Sequence, residues 1–212
     1  MQHCTKCKLF KSSSCKQIVN GYGNIKADIV FFAEAPGQTE DKFGVPFVGV
    51  SGKYLRRMIK DYLLISDGDV FMTNTIRCHP PMNRNPYPEE LDACANYWKE
   101  ELLAIRPKII VTAGNFSSKA LIGSTFKKIS SDRRKIFSND ICQVIIPIVH
   151  PASIRGTDAE LIQKKNDFEL DFAFIKKAYD KIKTIKKLNP DMHLEKSFDS
   201  IKIEGDDIHD FI

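Results

Sequence analysis

No apolar run in the 212-residue sequence is long enough to cross a membrane, since a spanning helix needs about 20 mostly apolar residues. The opening residues, MQHCTKCK, are polar and lack the apolar core of a secretory signal, so secretion is not expected. No internal repeat is evident, which excludes folds built by stacking repeats. Charge of neither sign dominates: 32 Lys and Arg stand against 27 Asp and Glu, a formal net charge of +5. That excess is compatible with a polyanionic partner without demanding one. What remains is a chain with 42% hydrophobic residues, enough for a sizeable core and of a length that suits one domain.

Strand-like runs alternate with helical patterns. Ile29-Val30-Phe31-Phe32-Ala33, Val70 to Asn74, Ile109 to Ala113 and Val144 to Val149 are rich in β-branched and aromatic residues and predict buried strands. Pro147 in the last run cannot donate to a ladder, which suits an edge or a bulge. Between the strands, one helix opens at Ser51-Gly52, with Ser51 as its N-cap, and runs through Tyr62. A second starts at Pro88-Glu89-Glu90, with an apolar face of Leu91, Cys94, Ala95, Trp98 and Leu102. A third spans Ser117 to Ile122, and a long one runs from about Asp158 to about Lys187. This alternation predicts an α/β fold, a three-layer α/β/α sandwich around a mostly parallel four-stranded sheet with right-handed crossovers. Ligands in such sheets bind beyond the carboxyl ends of the strands. The expected domain is 1–187. Residues 188–212 lose periodicity and end acidic, which predicts a flexible tail, with a docking peptide or linker as the sharper alternative.

Six cysteines in a chain with no export signal favour metal or redox chemistry in a reducing compartment over disulfides. Cys4 and Cys7 form a CxxC pair that can place two thiolates on one metal. Cys78 follows the second strand, and Cys94 lies in the helix after it. Four thiolates can close either a tetrahedral zinc site or a four-iron cluster, and spacing does not choose between them. Cys94 also suits a plain core position. Cys142 reads as packing, and Cys15 as a spare that could substitute as a ligand.

Three segments carry a resemblance. They are Ala33-Glu34-Ala35-Pro36-Gly37-Gln38-Thr39-Glu40-Asp41, continuing to Gly44-Val45-Pro46-Phe47-Val48-Gly49-Val50-Ser51-Gly52; Thr73-Asn74 to Cys78-His79-Pro80-Pro81-Met82-Asn83-Arg84-Asn85-Pro86; and His150-Pro151-Ala152-Ser153-Ile154-Arg155. In this order, after these strands and with this cysteine spacing, the chain resembles family 4 of the uracil-DNA glycosylases, the iron–sulfur branch of that superfamily, over roughly residues 1 to 180. The resemblance implies base-excision repair: a monofunctional hydrolase that releases uracil from single- or double-stranded DNA and leaves an abasic site. It implies a [4Fe-4S] cluster on Cys4, Cys7, Cys78 and Cys94 with a structural role. Phe47 matches the aromatic that stacks on the extruded base, and Asn74 the amide that reads its polar edge. Ala35 and Gly37 complete the uracil pocket. His150 matches the catalytic histidine, while Glu34, Glu40 and Asn83 match polar positions around water and sugar. Ser51 and Gly52 at a helix start, with Ile154 and Arg155 on the loop beyond His150, are the implied DNA contacts. Arg77, Arg84 and Lys53 are candidate phosphate partners, against a plain reading as surface charge. The expected state is a monomer in the cytoplasm or on the nucleoid.

Chemistry explains these residue types. A base inside a duplex is unreachable and has to be flipped out. An Asn amide presents one donor and one acceptor side, matching O4 and N3–H of uracil and mismatching cytosine. A donor at uracil O2 stabilises charge on the leaving base. Two departures from the family pattern stand out: Ala33 replaces the usual first glycine, and Ala35 stands where distant relatives carry a water-activating Asp. The water-handling group is thus Glu34, Glu40 or Asn83. A competing class is a protein that captures uracil without turnover. The covalent-capture branch of the superfamily has a histidine-bearing basic insert before the Cys94 helix, and here Pro80 to Pro88 is short and has no such histidine. A zinc-stapled nucleic-acid module is a third class.

Overall fold

Alternate residues of a strand face opposite sides of a sheet, so a run that is apolar at every position demands cover on both faces. Such runs form the centre of this molecule. The computed structural model describes residues 4–12, 14–154 and 157–188. Arg155 and the expected tail beyond residue 188 therefore lie outside the described residues. The sheet comprises β1 (Tyr22–Gly23), β2 (Ile29–Ala33), β3 (Phe71–Asn74), β4 (Ile109–Ala113) and β5 (Ile145–Ile148), in the order β1-β3-β2-β4-β5. The helices are α1 (Gln38–Phe43), α2 (Val50–Met58), α3 (Pro88–Ile105), α4 (Asn115–Ile122), α5 (Ile129–Asp132) and α6 (Asp158–Leu188).

β3, β2, β4 and β5 run parallel, and β1 joins β3 antiparallel. The sheet is thus five-stranded, not four-stranded as expected from the apolar runs. β1 was invisible to that pattern because both of its residues are exposed and one is a glycine. Gly23 has φ +125, and a Cβ there would lie 2.2 Å from the Val70 carbonyl oxygen. Pro147 sits in β5, at the sheet edge, where a missing N–H is tolerated.

One face of the sheet, with Phe31, Val111, Ile146 and Ile148, packs against Leu55 and Met58 of α2 and Phe168, Phe172 and Ile175 of α6. The other, with Val30, Phe32, Ile110 and Ile145, packs against Trp98 and Leu102 of α3 and Leu121 of α4. This is the expected three-layer α/β/α sandwich. Ser51 is not the cap of α2. The helix begins at Val50, with Gly49 as the cap residue, because the Glu40 carboxylate accepts the Gly49 N–H at 2.7 Å and fixes the turn there. α4 starts at Asn115, two residues before the expected Ser117. Ser117 and Ser118 turn their hydroxyls back onto the Ala113 and Gly114 carbonyls.

Parallel register brings the strand ends level. Ala33 pairs with Asn74 and Ala113 with Ile148, so Glu34, Asn74, Gly114 and the residues after β5 emerge along one edge. A buried charge cluster anchors the last of these. Asp171 of α6 is fully buried. Its carboxylate pairs with Arg133 at 2.9 Å and accepts the Val149 N–H at 3.4 Å, one residue before His150.

Burial pushes the Asp171 carboxyl from its ordinary 3.8 up to about 6, against the pull of Arg133 and Arg134. A raised folded-state value means that the native protein holds this proton where the unfolded chain has released it. The associated stability is present below the ordinary value and lost as pH rises through about 6. The urea midpoint of the wild type should therefore fall relative to that of Asp171→Asn between about pH 4 and about pH 7. Parallel curves over that range would contradict the assignment.

Candidate functional site

A cavity of about 430 Å³ opens at the carboxyl ends of β2 and β3. Its walls bring together all but two of the residues that the resemblance implied for the pocket, the chemistry and the DNA contacts, the candidate phosphate partners aside. From the β2 end come Glu34, Ala35, Gly37 and Glu40. From the following turn and α2 come Phe47, Ser51 and Gly52, and Asn74, Asn83 and His150 complete the wall. Ile154 does not line it; the residue is half-buried against the core beneath α2 and α6. Arg155 is outside the described residues.

Phe47 is held in an unusual way. Its backbone is left-handed, with φ 57, a conformation that is strained for a bulky aromatic residue. Arg56 of α2 donates from Nε to the Phe47 carbonyl at 3.0 Å and from its terminal nitrogen to the Pro46 carbonyl at 3.2 Å. Asp67 holds the other end of this guanidinium at 2.6 Å. The Phe47 backbone also lies directly on Gly52, where a Cβ would stand 2.1 Å from both the Phe47 carbonyl carbon and its oxygen. Only glycine permits that approach. Gly52 read as a helix-start residue for phosphate; the structure adds that it is the seat of Phe47.

Asn74 ends β3 with 3% exposure, and its side-chain amide faces the cavity. Among the described residues it has no hydrogen-bond partner. The amide is open to the cavity, where a ligand or water can complete its donor and acceptor sides. His150 follows β5 and is seated on Gly114, where a Cβ would lie 3.3 Å from the His150 Cβ. Gly114 itself has φ +95. The Ala152 N–H donates to His150 Nδ1 at 3.1 Å. Nδ1 is therefore the acceptor, and the ring proton resides on Nε2.

The polar groups around water and sugar differ in environment. Burial pushes the Glu34 carboxyl up. Glu40 is tied down: Oε1 accepts the Gly49 N–H at 2.7 Å, and Oε2 sits where a Gly37 Cβ would be 2.8 Å away. Asn83 is bonded through its side-chain amide to His79 Nε2 at 3.0 Å, and His79 Nδ1 donates to the Ser14 carbonyl at 3.0 Å. This brace of a pocket residue by a buried histidine was not read from the sequence; the spacing His79-Pro80-Pro81-Met82-Asn83, one turn apart, is the signal that was there.

Four of the six cysteines come together. Cys4, Cys7, Cys78 and Cys94 line one small apolar cavity with Phe10, Ile18 and Tyr97. Among the described residues, no group of three or more His, Cys, Asp or Glu side chains converges on one point to hold a single ion. Burial pushes the Cys7 and Cys94 thiols up, and Cys15 together with burial raises Cys78. A cationic centre reverses that tendency, since it binds thiolates. Arg77 lines the same cavity. It is 1% exposed, paired with Glu101 at 2.6 Å, and its Nε has no hydrogen-bond partner. An orphaned buried donor beside four thiols fits an anionic thiolate–sulfide group there. Arg77 is therefore neither a phosphate partner nor surface charge: Glu101 of α3 draws it inward. Arg84 lies on the pocket rim with its guanidinium bonded to Glu90 at 2.6 and 2.8 Å, and Lys53 stays exposed on α2. Cys142 is buried packing, and Cys15 lies against the Cys78 cluster.

The N-terminal cysteine segment is bolted to the pocket. Asp41 of α1 accepts the Lys16 N–H at 2.9 Å, and Gln17 Nε2 donates to the Asp41 carbonyl at 2.7 Å. Ser14 reaches His79 as described. Cysteine segment and pocket thus share one scaffold.

Comparisons with known proteins agree with this geometry. A family model described as the uracil DNA glycosylase superfamily matches residues 20–181. The type-4 uracil-DNA glycosylase of Saccharolobus solfataricus is 42% identical over 159 residues, covering 72% of this chain and 73% of that protein. Its counterpart in Sulfurisphaera tokodaii is 41% identical over 158 residues, 71% of this chain and 70% of the relative. That of Archaeoglobus fulgidus is 39% identical over 175 residues, 80% of this chain and 84% of the relative.

Proposed function

Because the chain belongs to the uracil DNA glycosylase superfamily, we propose that it excises uracil from DNA by hydrolysing the N-glycosidic bond, releasing the free base and leaving an abasic site. The observation that carries this reading is the Asn74 amide, open to a cavity shared with Phe47 and His150 and without a side-chain hydrogen bond among the described residues.

The pocket accepts an extruded nucleotide. Unstacking costs a few kcal/mol, and stacking on the Phe47 ring returns roughly 1–3 kcal/mol of it. Asn74 donates from its NH₂ to uracil O4 and accepts N3–H, the pairing that cytosine lacks. His150 Nε2–H donates to uracil O2 as the C1′–N1 bond breaks and the electron pair moves onto the base. A carboxylate faces the cationic sugar, and Glu34, nearer to its neutral form through burial, is suited to take the proton from the water whose oxygen bonds to C1′. Glu40 and Asn83, each already committed to a hydrogen bond, orient that water. Among the described residues no lysine lines the pocket, so a Schiff-base lyase step has no nucleophile there. The backbone N–H groups at Ser51 and Gly52 in the first turn of α2 suit a DNA phosphate.

Cys4, Cys7, Cys78 and Cys94 would hold a [4Fe-4S] cluster, which supplies a rigid cross-link when bound. Its role in this reading is structural: Cys78 lies four residues after Asn74, and Ser14, Lys16 and Gln17 grip His79 and α1.

A base-release assay on uracil-containing DNA tests the site. Asn74→Ala and His150→Ala should each lower the rate on the order of 100-fold; unchanged rates in both would overturn the assignment. For the cluster, broad visible absorption should vanish on metal removal, and melting temperature and activity should fall together. A colourless protein of full stability, or a large activity difference between oxidised and reduced cluster, would contradict a structural iron–sulfur centre.

A further inference from the structure

The two most exposed large apolar side chains among the described residues are Met82, at 94%, and Val50, at 88%. Both border the same cavity: Val50 lines it, and Met82 sits between Pro80 on one side and Asn83 and Arg84 on the other, all of which line it. An isolated exposed apolar residue is ordinary. Met82 differs in how it is presented. It has φ 54 and Asn83 has φ 53, so two consecutive non-glycine residues are left-handed, a combination that persists only when surrounding contacts enforce it. Those contacts are present. Pro80 and Pro81 stiffen the approach, His79 grips Asn83 from behind, and Arg84 is fixed by Glu90 and stacked 3.8 Å from the Tyr87 ring centroid. The strain turns a flexible apolar side chain outward at the mouth of a base-sized cavity, on a rigid turn.

We propose that Met82 is a wedge: its side chain enters the base stack beside the extruded nucleotide and holds the gap open while the uracil occupies the pocket. The occupant of this patch is therefore the exposed base faces of duplex DNA. An unbranched, polarisable side chain suits an irregular gap between bases, and apolar wedges are the general means of prying a base step apart. Ile154, the apolar residue just after His150, leans on the core, whereas Met82 is the most exposed large apolar side chain among the described residues. Val50 gives the facing rim an apolar contact of the same kind. The inference rests on the base-excision reading, because a wedge has meaning only if a nucleotide is flipped.

A single-strand substrate has no stack to open, so the duplex-to-single-strand ratio of uracil-release rates isolates the wedge from the chemistry. Single-turnover rates are measured on one uracil oligonucleotide, alone and annealed. Met82→Ala should lower the ratio about tenfold, Met82→Leu should restore most of it, and Met82→Gln, of similar length but polar, should not. Equal ratios in wild type and Met82→Ala, or full recovery with Met82→Gln, would overturn the proposal. A dimer that Met82→Ala dissolves would assign the patch to a second copy of the chain and would overturn it as well. Wild type that releases no uracil from either substrate would strike the excision reading itself, a result distinct from an unchanged ratio.

Discussion

The contact between the Phe47 backbone and Gly52 is the constraint on which the site depends. With no Cβ at position 52, the chain from Pro46 to Gly49 can lie flat on the first turn of α2, and the left-handed Phe47 presents its ring to both core and cavity. Arg56 then locks that path by bonding two successive carbonyls. Loss of the contact would move an aromatic wall of the pocket, and with it the turn at Gly49 that Glu40 holds. The strain stored at Phe47 is offset by Arg56 and by burial of the ring, which is 7% exposed.

Around that wall the sheet does the alignment. Parallel pairing sets Ala33 beside Asn74 and Ala113 beside Ile148, so an amide, two carboxylates and a histidine converge from distant parts of the chain without a dedicated framework. Each is then tuned locally. Asn74 is left without a partner, the Ala152 N–H selects the tautomer of His150, and burial raises Glu34. The cysteine segment reaches the same edge from behind through Asp41 and His79. A structural centre on those thiols would accordingly act on the pocket by stiffening it, and the proposed wedge at Met82 stands on a turn stiffened by the same histidine.

Much of this was legible in the residues, for identifiable reasons. Strands buried on both faces are continuous apolar runs, so β2 to β5 could be read within a residue of their ends. The pocket residues occupy strand ends, where an α/β sheet places its chemistry. Other features carried no local signal. β1 is two exposed residues, one of them glycine. α1 is a single short helix whose only buried side chain is the acidic Asp41. Ser51 has the right chemistry for a cap, yet a carboxylate nine residues before Gly49 decides where the helix begins. Arg77 looked like surface charge because nothing in its neighbourhood reveals that Glu101, on α3, draws it into the interior. Gly52 was visible as a glycine but not as the floor beneath Phe47, since the left-handed turn that needs it is a tertiary fact.

The affinity of the pocket for free uracil, compared between wild type and Gly52→Ala with helix content checked alongside, tests this account most directly. Gly52→Ala should fold and its affinity should fall by on the order of tenfold or more, the stacking contribution of one displaced aromatic. Equal affinity in the two folded proteins would show that the position of Phe47 does not depend on its seat at Gly52.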